Sequence, residues 1–399
     1  MLTNLKRRLR KNRKLYRRLG YIFGFYRNSV LEIARRIGGM NDNMVVFSAF
    51  DCLSYNDNPR YISEALHELR PETDIVWLFK DGKKARERLE IPDYVRVLHS
   101  IRLPGVCAMA RACVVVDNFN KRFYLNFPGK DQIYIQTWHA DRAFKKVGYD
   151  NPQCTNTGIE KRASLGITGS DYGDMQFRSA FHYEGELLRV GSPRNDILIR
   201  NDPAEAAAIR KKLGIDDDTQ LLMYAPTFRD VDHTKQRAQK VPLRLPHVLE
   251  TLEKSTGKKW KCLVRAHYLS EGLSLEDKND PRLINVSKYQ EMAELLLISD
   301  ALLTDYSSCA GDFILLRRPV FLYQEDLEEY TTANRALYFN MKDSPYWVAS
   351  TPDELDRLIE TSTPERAKQN CDDILRFYGE NETGEASKRV AEYIVSKLK

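Results

Sequence analysis

The sequence lacks any long apolar stretch. Its apolar runs, such as Cys113–Val116, fall far short of the ~20 residues that a membrane-spanning helix needs. No apolar leader ends in a small-residue cleavage site, and no low-complexity block or internal repeat stands out. These absences argue against an integral membrane protein and against a secreted one. We therefore expect the folded body to lie in the cytoplasm.

Patterns for disulfides and metals are also missing. The seven cysteines are odd in number and include no Cys-x-x-Cys pair, which is typical of reduced, mostly buried thiols. No convincing metal-binding pattern accompanies them. We therefore expect neither a metal nor another cofactor.

Acidic residues are absent from the first 31 positions, which carry ten lysines and arginines. Without these ten, the chain holds 52 basic and 56 acidic residues, so its balance falls from +6 to −4. The basic excess is thus confined to one N-terminal arm. Apolar residues recur in the arm at three- and four-residue steps, as in an amphipathic helix: Leu2, Leu5, Leu9, Tyr16, Leu19, Ile22, Phe23 and Tyr26.

Such a helix can lie in the headgroup layer of an anionic membrane, where each nearby cation contributes about 1 kcal/mol. Nucleic-acid binding is the competing interpretation of a basic helix, and a simple solvated or packed helix is the third. The leucine and aromatic stripe favours lipid. We expect residues 1–40 to attach the protein peripherally to the cytoplasmic face of the membrane, with no nucleic-acid partner.

Beyond the arm, short apolar runs alternate with polar, helix-compatible segments such as Asp171–Phe181, in two series joined near residue 200. Strands that are apolar without alternation indicate a sheet covered on both faces. The first series predicts strands at Val45–Phe50, Ile75–Phe79, Tyr94–Leu98, Ala112–Asn118, Gln132–Thr137, Leu165–Thr168 and Leu187–Val190. The second predicts strands at Leu221–Tyr224, Trp260–Val264, Leu283–Val286, Ala301–Leu303 and Pro319–Tyr323.

At 399 residues the chain suits two domains of this kind. We predict α/β halves over residues 41–200 and 201–383, with a cleft between the carboxyl ends of their strands, where open sheets bind ligands. The charged segment Val231–Lys240 is predicted to be a mobile loop beside that cleft. A last helix within Gly384–Lys399 is expected to pack back on one domain.

The segment Ala301–Phe313 is the most informative one. Leu295–Ile298 and Ala301–Leu303 are predicted as buried strand and Gly311–Leu316 as helix, so Ser307 and Ser308 would begin the helix. A helix start offers unpaired N–H groups and partial positive charge, which suit a phosphate. An ordinary serine cap is the alternative.

Other polar clusters also follow predicted strands. His139 would enter the cleft with Lys145 and Lys146 beside it, and a neutral imidazole can take a proton from a hydroxyl near pH 7; a structural histidine is the alternative. Arg265 and His267, two apart on a strand, would project together toward phosphate oxygens. Two ordinary surface residues at a strand end would give the same pattern.

Together these clusters resemble the CDP-glycerol:poly(glycerophosphate) glycerophosphotransferase family, the teichoic-acid primases and polymerases. The matching motifs occur in family order over about residues 110 to 335: Thr137-Trp138-His139 with Lys145-Lys146, Gly191-x-Pro193-Arg194-Asn195-Asp196, Tyr224-Ala225-Pro226-Thr227-x-Arg229-Asp230, Arg265-x-His267, Thr304-Asp305-Tyr306-Ser307-Ser308 with Asp312-Phe313, Arg318-Pro319 and Asp326-Leu327-Glu328-x-Tyr330.

The resemblance implies a GT-B fold of two Rossmann-like halves, with a CDP-linked donor held mainly by the second. His139 is similar to the family's catalytic base and His267 to its second essential histidine, which contacts the donor phosphates. The implied substrate-binding residues are Lys145, Arg194, Asn195, Thr227, Arg229, Arg265, Asp305, Ser307, Ser308 and Asp312. A membrane-bound acceptor, linked to prenyl diphosphate, is implied as the partner.

The chain departs from the family pattern in two places. Ala140-Asp141-Arg142-Ala143 replaces the common Gly-Thr-Pro-Leu, and Gly311 stands where an aromatic residue is frequent. The first departure adds two charges beside the proposed base, so we expect acceptor identity to be affected, as in capsule-type relatives.

Our functional hypothesis is transfer of glycerol phosphate from CDP-glycerol to a hydroxyl of a lipid-linked saccharide or growing polyol-phosphate chain, with release of CMP. The alternatives are a ribitol-phosphate transferase that uses CDP-ribitol, and a glycosyltransferase or epimerase that uses a nucleotide sugar. A non-catalytic membrane or nucleic-acid binder organised around the arm is a third. The sequence leaves the oligomeric state open.

Overall fold

The computed structural model describes residues 13–119, 127–152, 154, 158–159, 161–227, 243–265, 280–333 and 335–399. The predicted loop Val231–Lys240 lies outside the described residues. Two parallel sheets make up the body of the protein, as the uninterrupted apolar strands predict. The predicted α/β architecture is therefore confirmed.

The first half is a seven-stranded sheet in the order β3-β2-β1-β4-β5-β6-β7, in which every neighbouring pair is parallel. A helix, α1, precedes the sheet. The elements are α1 (Arg13–Gly38), β1 (Asn41–Ser48), α2 (Asp57–Leu69), β2 (Asp74–Phe79), β3 (Arg96–His99), α3 (Leu103–Arg111), β4 (Ala112–Asp117), β5 (Ile133–Gln136), β6 (Leu165–Thr168), α4 (Asp171–Phe181) and β7 (Glu186–Arg189).

The second half is a six-stranded parallel sheet in the order β10-β9-β8-β11-β12-β13. Helices α5 (Asp196–Arg200) and α6 (Pro203–Lys212) lead into it. The remaining elements are β8 (Gln220–Ala225), α7 (Leu245–Thr256), β9 (Trp260–Val264), β10 (Leu283–Asn285), α8 (Met292–Ile298), β11 (Ala301–Thr304), α9 (Cys309–Phe313), β12 (Val320–Tyr323), α10 (Leu327–Ala333), β13 (Trp347–Ala349), α11 (Pro352–Glu360), α12 (Pro364–Tyr378) and α13 (Ala386–Val395).

Burial explains why these segments form strands. All six residues of β4 and all four of β11 are buried, because helices cover both faces of each sheet. The described residues include one strand that the sequence did not predict, β13, whose apolar run of Trp347–Ala349 is only three residues long. The prediction of strand at Leu295–Ile298 is wrong, since these residues end helix α8. A helix buried all round shows no apolar periodicity that distinguishes it from a strand.

The helix α1 is anchored at its C-terminal end. Leu31 is buried in a cluster with Met44 and Val46, and the guanidinium of Arg27 donates to the carbonyl of Ser100 at 3.3 Å. Several large apolar side chains of the same helix are instead exposed: Ile22, Phe25, Tyr26, Ile33 and Ile37. Among the described residues, no helix is both long and apolar enough to cross a membrane. The predicted apolar positions Leu2, Leu5 and Leu9 lie outside the described residues.

The last helix, α13, returns to the first half. Ala386, Val390 and Ile394 are fully buried in the same cluster as Val45 of β1. Its N-terminus is held by Asp196, whose carboxylate accepts from the N–H of Ala386 at 2.9 Å and from that of Ser387 at 2.7 Å. The C-terminal helix thus completes the core of the N-terminal sheet.

Candidate active site

A cavity of about 490 Å³ lies between the two halves, at the carboxyl ends of their strands. Nine of the predicted site residues line it, although they come from segments far apart in the chain. They are His139, Lys145, Arg194, Asn195, Thr227, Arg265, Ser307, Ser308 and Asp312. His267 and Arg229 lie outside the described residues, so their predicted roles stay predictions.

His139 follows β5 after a sharp turn, in which Trp138 has a left-handed φ of 51°. Its Nδ1 lies 2.7 Å from the carbonyl oxygen of Asn118. Because a carbonyl only accepts, Nδ1 carries the proton and the Nε2 of the neutral ring is left with a free lone pair. The rings of Phe50 and Phe119 pack against the imidazole, with centroids at 5.2 and 6.0 Å. The ring is therefore held in the tautomer that a base requires.

Burial lowers the pKa of His139 below its usual value, and the cations Arg194 and Lys145 lower it further. The carboxylate of Asp57 and the Asn118 carbonyl act in the opposite direction. Since the lowered pKa favours the neutral form, the ring is unprotonated at pH 7. It would lose that form only as the pH falls below the lowered pKa.

Arg194 links the two halves inside the cavity wall. Its Nε and Nη2 donate to the two carboxylate oxygens of Asp312, at 3.1 to 3.2 Å. Asn195 adds a bond of 3.0 Å from its amide to the same carboxylate. A bidentate guanidinium–carboxylate pair fixes both partners in position. The turn after β7 is thereby fastened to α9 of the second half.

Arg265 forms no salt bridge with any of the described residues. It follows β9, and its Nη2 reaches only the backbone oxygen of Gln290, at 3.4 Å. Its Nη1 is buried and has no hydrogen-bond partner in the described part of the chain. Burial lowers the pKa of this guanidinium, and the carboxylate of Glu291 acts in the opposite direction. Because a partly buried charge gains from a close partner, Arg265 is suited to binding an anion in the cavity.

Ser307 and Ser308 face the cavity just before α9. Ser308 occupies the cap position, yet within the described chain its hydroxyl makes no cap hydrogen bond. The hydroxyl of Ser307 does accept from the N–H of Cys309, at 3.5 Å, so a capping role stays an alternative for that serine. Asp305, by contrast, does not line the cavity: its carboxylate accepts from the N–H of Thr227 at 2.8 Å and from that of Tyr306. The Asp305 carboxylate thus binds the backbone of the cavity wall from the side that faces away from the cavity.

Ten further lining residues were not predicted as site residues, and four of them carry an aromatic ring or a charge: Phe50, Asp57, Tyr330 and Arg335. Asp57 begins α2, on the connection that follows β1, so a search of the segments after strands for charged residues could have identified it. The ring of Tyr330 stacks on that of Tyr306, with centroids 3.8 Å apart. Arg335 follows α10 and adds a cation from a segment with no apolar pattern, which gave no signal in the sequence.

Asp141 and Arg142 do not point toward an acceptor. The Asp141 carboxylate accepts from the N–H of Gly169 at 2.9 Å and from the hydroxyl of Ser170 at 2.6 Å. Arg142 is 1% exposed and donates to the Glu382 carboxylate at 3.1 Å. The expectation that these two charges affect acceptor identity is therefore not supported by their contacts, which are with other residues of the protein.

The two departures from the family pattern meet in space. A Cβ added to Gly311 would lie 2.5 Å from the Cβ of Arg142, closer than real Cβ contacts allow. The absence of a side chain at Gly311 thus leaves room for that of Arg142. We interpret the two differences as one compensated change in packing.

Comparisons with known proteins identify the family of this chain. The sequence model described as CDP-Glycerol:Poly(glycerophosphate) glycerophosphotransferase matches residues 30–396. The chain belongs to this family. The sequence-based assignment to the family, and to its class of transferase enzymes, is confirmed.

Three curated relatives illustrate the similarity. The chain is 31% identical to the teichoic acid glycerol-phosphate transferase of Staphylococcus aureus, over 76% of this chain and 79% of that protein. It is 29% identical to two teichoic acid poly(glycerol phosphate) polymerases. The one from Bacillus spizizenii matches over 92% of this chain and 96% of its own length. The one from Staphylococcus epidermidis matches over 93% of this chain, which spans about half (53%) of that protein.

Solved structures of the wall teichoic acid polymerase TagF are similar over 98% of both chains, with 27% identity and a TM-score of 0.80. This similarity confirms the predicted GT-B arrangement of two facing halves. One of these structures is that of a histidine-to-asparagine variant of TagF soaked with CDPG.

The Arg194–Asp312 pair gives a testable prediction. Asp312→Asn removes the charge that balances the buried guanidinium, which costs about 3 kcal/mol. We expect the melting temperature to fall by roughly 6 °C or more. The control is Asp372→Asn, which breaks the more exposed Arg317–Asp372 pair of the same half and should cost about 2 °C or less. Equal shifts for the two variants would contradict a stabilising role for the buried pair.

Proposed function

We propose that the protein transfers glycerol phosphate from CDP-glycerol to an acceptor hydroxyl, on a lipid-linked saccharide or on a growing polyol-phosphate chain, and releases CMP. One observation carries this proposal: a single cavity is lined by a neutral histidine from the first half and by two serines and a half-buried arginine, with no salt bridge among the described residues, from the second. The first group suits deprotonation of an alcohol. The others suit a diphosphate.

The reaction places three demands on the site. The acceptor O–H bond breaks as its oxygen attacks the glycerol-linked phosphorus, and the Nε2 of His139 takes the proton. The phosphoryl oxygens gain charge, which Arg265 and the hydroxyls of Ser307 and Ser308 stabilise. The bond from that phosphorus to the bridging oxygen breaks, and CMP leaves with the electron pair. Lys145, on the side of His139, adds positive charge near the departing group.

Positioning and electrostatics carry most of the rate in phosphoryl transfer. Several contacts support a preorganised site on these grounds. The carboxylate of Asp312 fixes Arg194, and the Asn118 carbonyl fixes His139. Backbone bonds also join the halves beside the cavity, from Lys146 N–H to the Ala336 carbonyl at 2.8 Å and from Tyr338 N–H to that of Phe144 at 2.8 Å.

The proposed base can be tested by removing it. His139→Ala should lower turnover with CDP-glycerol and a lipid-linked acceptor by roughly 100-fold or more, the usual contribution of general base catalysis. CDP-glycerol should still raise the melting temperature of the variant, since the donor-binding groups remain. His247→Ala is the control, because His247 pairs with Asp356 on the exposed surface. Retained turnover in His139→Ala rules out this role.

CDP-ribitol and nucleotide sugars are the alternative donor substrates. Relatives of this chain include a teichoic acid ribitol-phosphate primase from Bacillus spizizenii, 26% identical over 89% of this chain. The identities of the glycerol-phosphate relatives, 29% to 31%, favour CDP-glycerol. We expect CDP-glycerol to raise the melting temperature more than CDP-ribitol or a UDP-sugar at equal concentration. Mass spectrometry of the product on a defined lipid-linked disaccharide would show an added glycerol phosphate; an added ribitol phosphate would overturn this choice.

We also propose that the protein works at the cytoplasmic face of the membrane, where a prenyl-diphosphate-linked acceptor would be found. The support is the exposed apolar side chains of α1, in which Phe25 is 76% and Ile37 84% exposed. An apolar helical face beside a basic segment suits the boundary between headgroups and acyl chains. The cations Arg13 and Lys14 precede this face in the sequence.

Membrane attachment can be tested with charges on that face. Phe25→Asp with Ile33→Asp should reduce sedimentation with anionic phosphatidylglycerol vesicles at least tenfold, because a carboxylate must be dehydrated to enter the boundary layer. Turnover on a soluble acceptor should be kept. The control is Met175→Asp, at an exposed methionine of α4. Substitution is preferable to deleting residues 1–31, which would also remove the packed Leu31. Unchanged vesicle binding would contradict attachment through α1.

A further inference from the structure

Asp57 is a cavity-lining carboxylate that the mechanism above does not use. It begins α2 with a left-handed φ of 58°, and it is 8% exposed. Its Oδ1 accepts from the side-chain amide of Asn118 at 3.0 Å and from the N–H of Asn58 at 2.8 Å. These two donors orient the carboxylate from the first half alone.

Asn118 connects Asp57 to the proposed base. It is fully buried and follows β4, and each of its polar groups has a partner. Its backbone oxygen accepts from Nδ1 of His139 at 2.7 Å, while its side-chain amide donates to Asp57. Its side-chain oxygen accepts from the N–H of Phe50 at 2.9 Å. One residue therefore fixes the ring and the carboxylate relative to each other.

The charges around His139 come from three elements. Asp57 lies on α2, Arg194 on the turn after β7, and Lys145 on the segment that follows the histidine. The other neighbours of the imidazole are the aromatic rings of Phe50, Phe119 and Trp138. Asp57 is the only anion among these charged groups. When the ring gains a proton between two cations, this carboxylate is the charge that opposes their repulsion.

We propose that Asp57 is a positioning residue for the transfer reaction, whose carboxylate stabilises the His139 imidazolium that forms when Nε2 takes the proton of the acceptor hydroxyl. The proposal rests on the proposed function of His139 as base. The proton stays on the ring while the new P–O bond forms and the old one breaks, and it then passes to water or to the released CMP.

A purely structural role for Asp57 is the competing explanation. Its N–H donates to the carboxylate of Glu291 at 2.9 Å, and its Oδ2 lies 3.7 Å from Nη1 of Arg194. The first contact crosses to the second half and helps to hold the halves together, whereas Arg194 belongs to the first half. Burial raises the pKa of Glu291 to about 7. The test must therefore separate an effect on the His139 ring from an effect on this interface.

The decisive variant is Asp57→Asn, because asparagine has the same shape and tolerates a left-handed backbone, whereas alanine would be strained there. We expect the pKa of His139, followed by NMR of the histidine rings and assigned with His139→Asn, to fall by roughly one unit. The acid limb of kcat against pH should move to lower pH by the same amount. At pH 8, kcat should fall roughly tenfold, as expected for a weaker base with a less stable imidazolium.

The matched control is Glu291→Gln, which perturbs the interface contact of Asp57 but keeps the carboxylate beside His139. It should leave the NMR titration of His139 within a few tenths of a unit of the wild-type value. An unchanged His139 titration in Asp57→Asn overturns the proposal, even if activity falls. A shifted titration without any transferase activity in the wild-type protein would instead overturn the proposed function and leave the Asp57–His139 coupling standing.

If Asp57→Asn does not fold, Asn118→Ala provides the second variant. It removes the amide that orients the Asp57 carboxylate but keeps the backbone oxygen that binds Nδ1 of His139. The same downward shift of the His139 pKa is expected, smaller in size. No shift in Asn118→Ala would contradict the proposal equally.

Discussion

The ion pair between Arg194 and Asp312 is the constraint on which the site depends. It joins the turn after β7 to Asp312 of α9, and so links the two halves beside the carboxyl ends of their sheets. Its partners are almost fully excluded from water, where an uncompensated charge is costly. Asp312 is in turn held by Asn195, which also donates to Glu382. The cavity is thus bounded by a network that is stable only when both halves are present.

The same network explains how this chain accommodates unusual residues beside its proposed base. Arg142 is buried among carboxylates from three places in the sequence: Asp141, Asp312 and Glu382. Burial raises the pKa of Glu382 to about 7, and the positive charge of Arg142 opposes that rise. The guanidinium of Arg142 therefore binds carboxylates behind the cavity wall, while Arg194 lines the cavity itself. Charged residues next to a catalytic motif need not contact the substrate.

Much of the fold was predictable because each strand of a parallel sheet that is covered on both faces appears in the sequence as an uninterrupted apolar run. The predicted strands Leu165–Thr168 and Trp260–Val264 match the observed bounds, and most others differ by one or two residues at an end. The prediction fails where burial is uniform in a helix, as at Leu295–Ile298, and where an edge strand is very short, as in β13. In both places the local pattern carries too little information to choose the secondary structure.

The site was predictable to the extent that it follows strand ends. His139, Arg265 and Ser307 each follow a strand closely, so the parallel topology brings each to the carboxyl edge of its own sheet. Their candidate roles came from residue chemistry at strand ends and helix starts, and the family resemblance made those roles specific. What the sequence could not predict are contacts between distant segments, such as that of Asp57 with Glu291, 234 positions apart. Such contacts depend on how the halves meet.

The return of α13 to the first sheet has a consequence for biosynthesis. Val45 and Phe47 belong to a strand made early, yet the helix that covers them contains residues 386–395. During translation this apolar surface stays uncovered until nearly the whole described chain has been made, which is a state prone to aggregation. The core of the N-terminal sheet is therefore complete only after this last helix has been made. Chaperone binding at the nascent chain would be expected to last until that helix emerges.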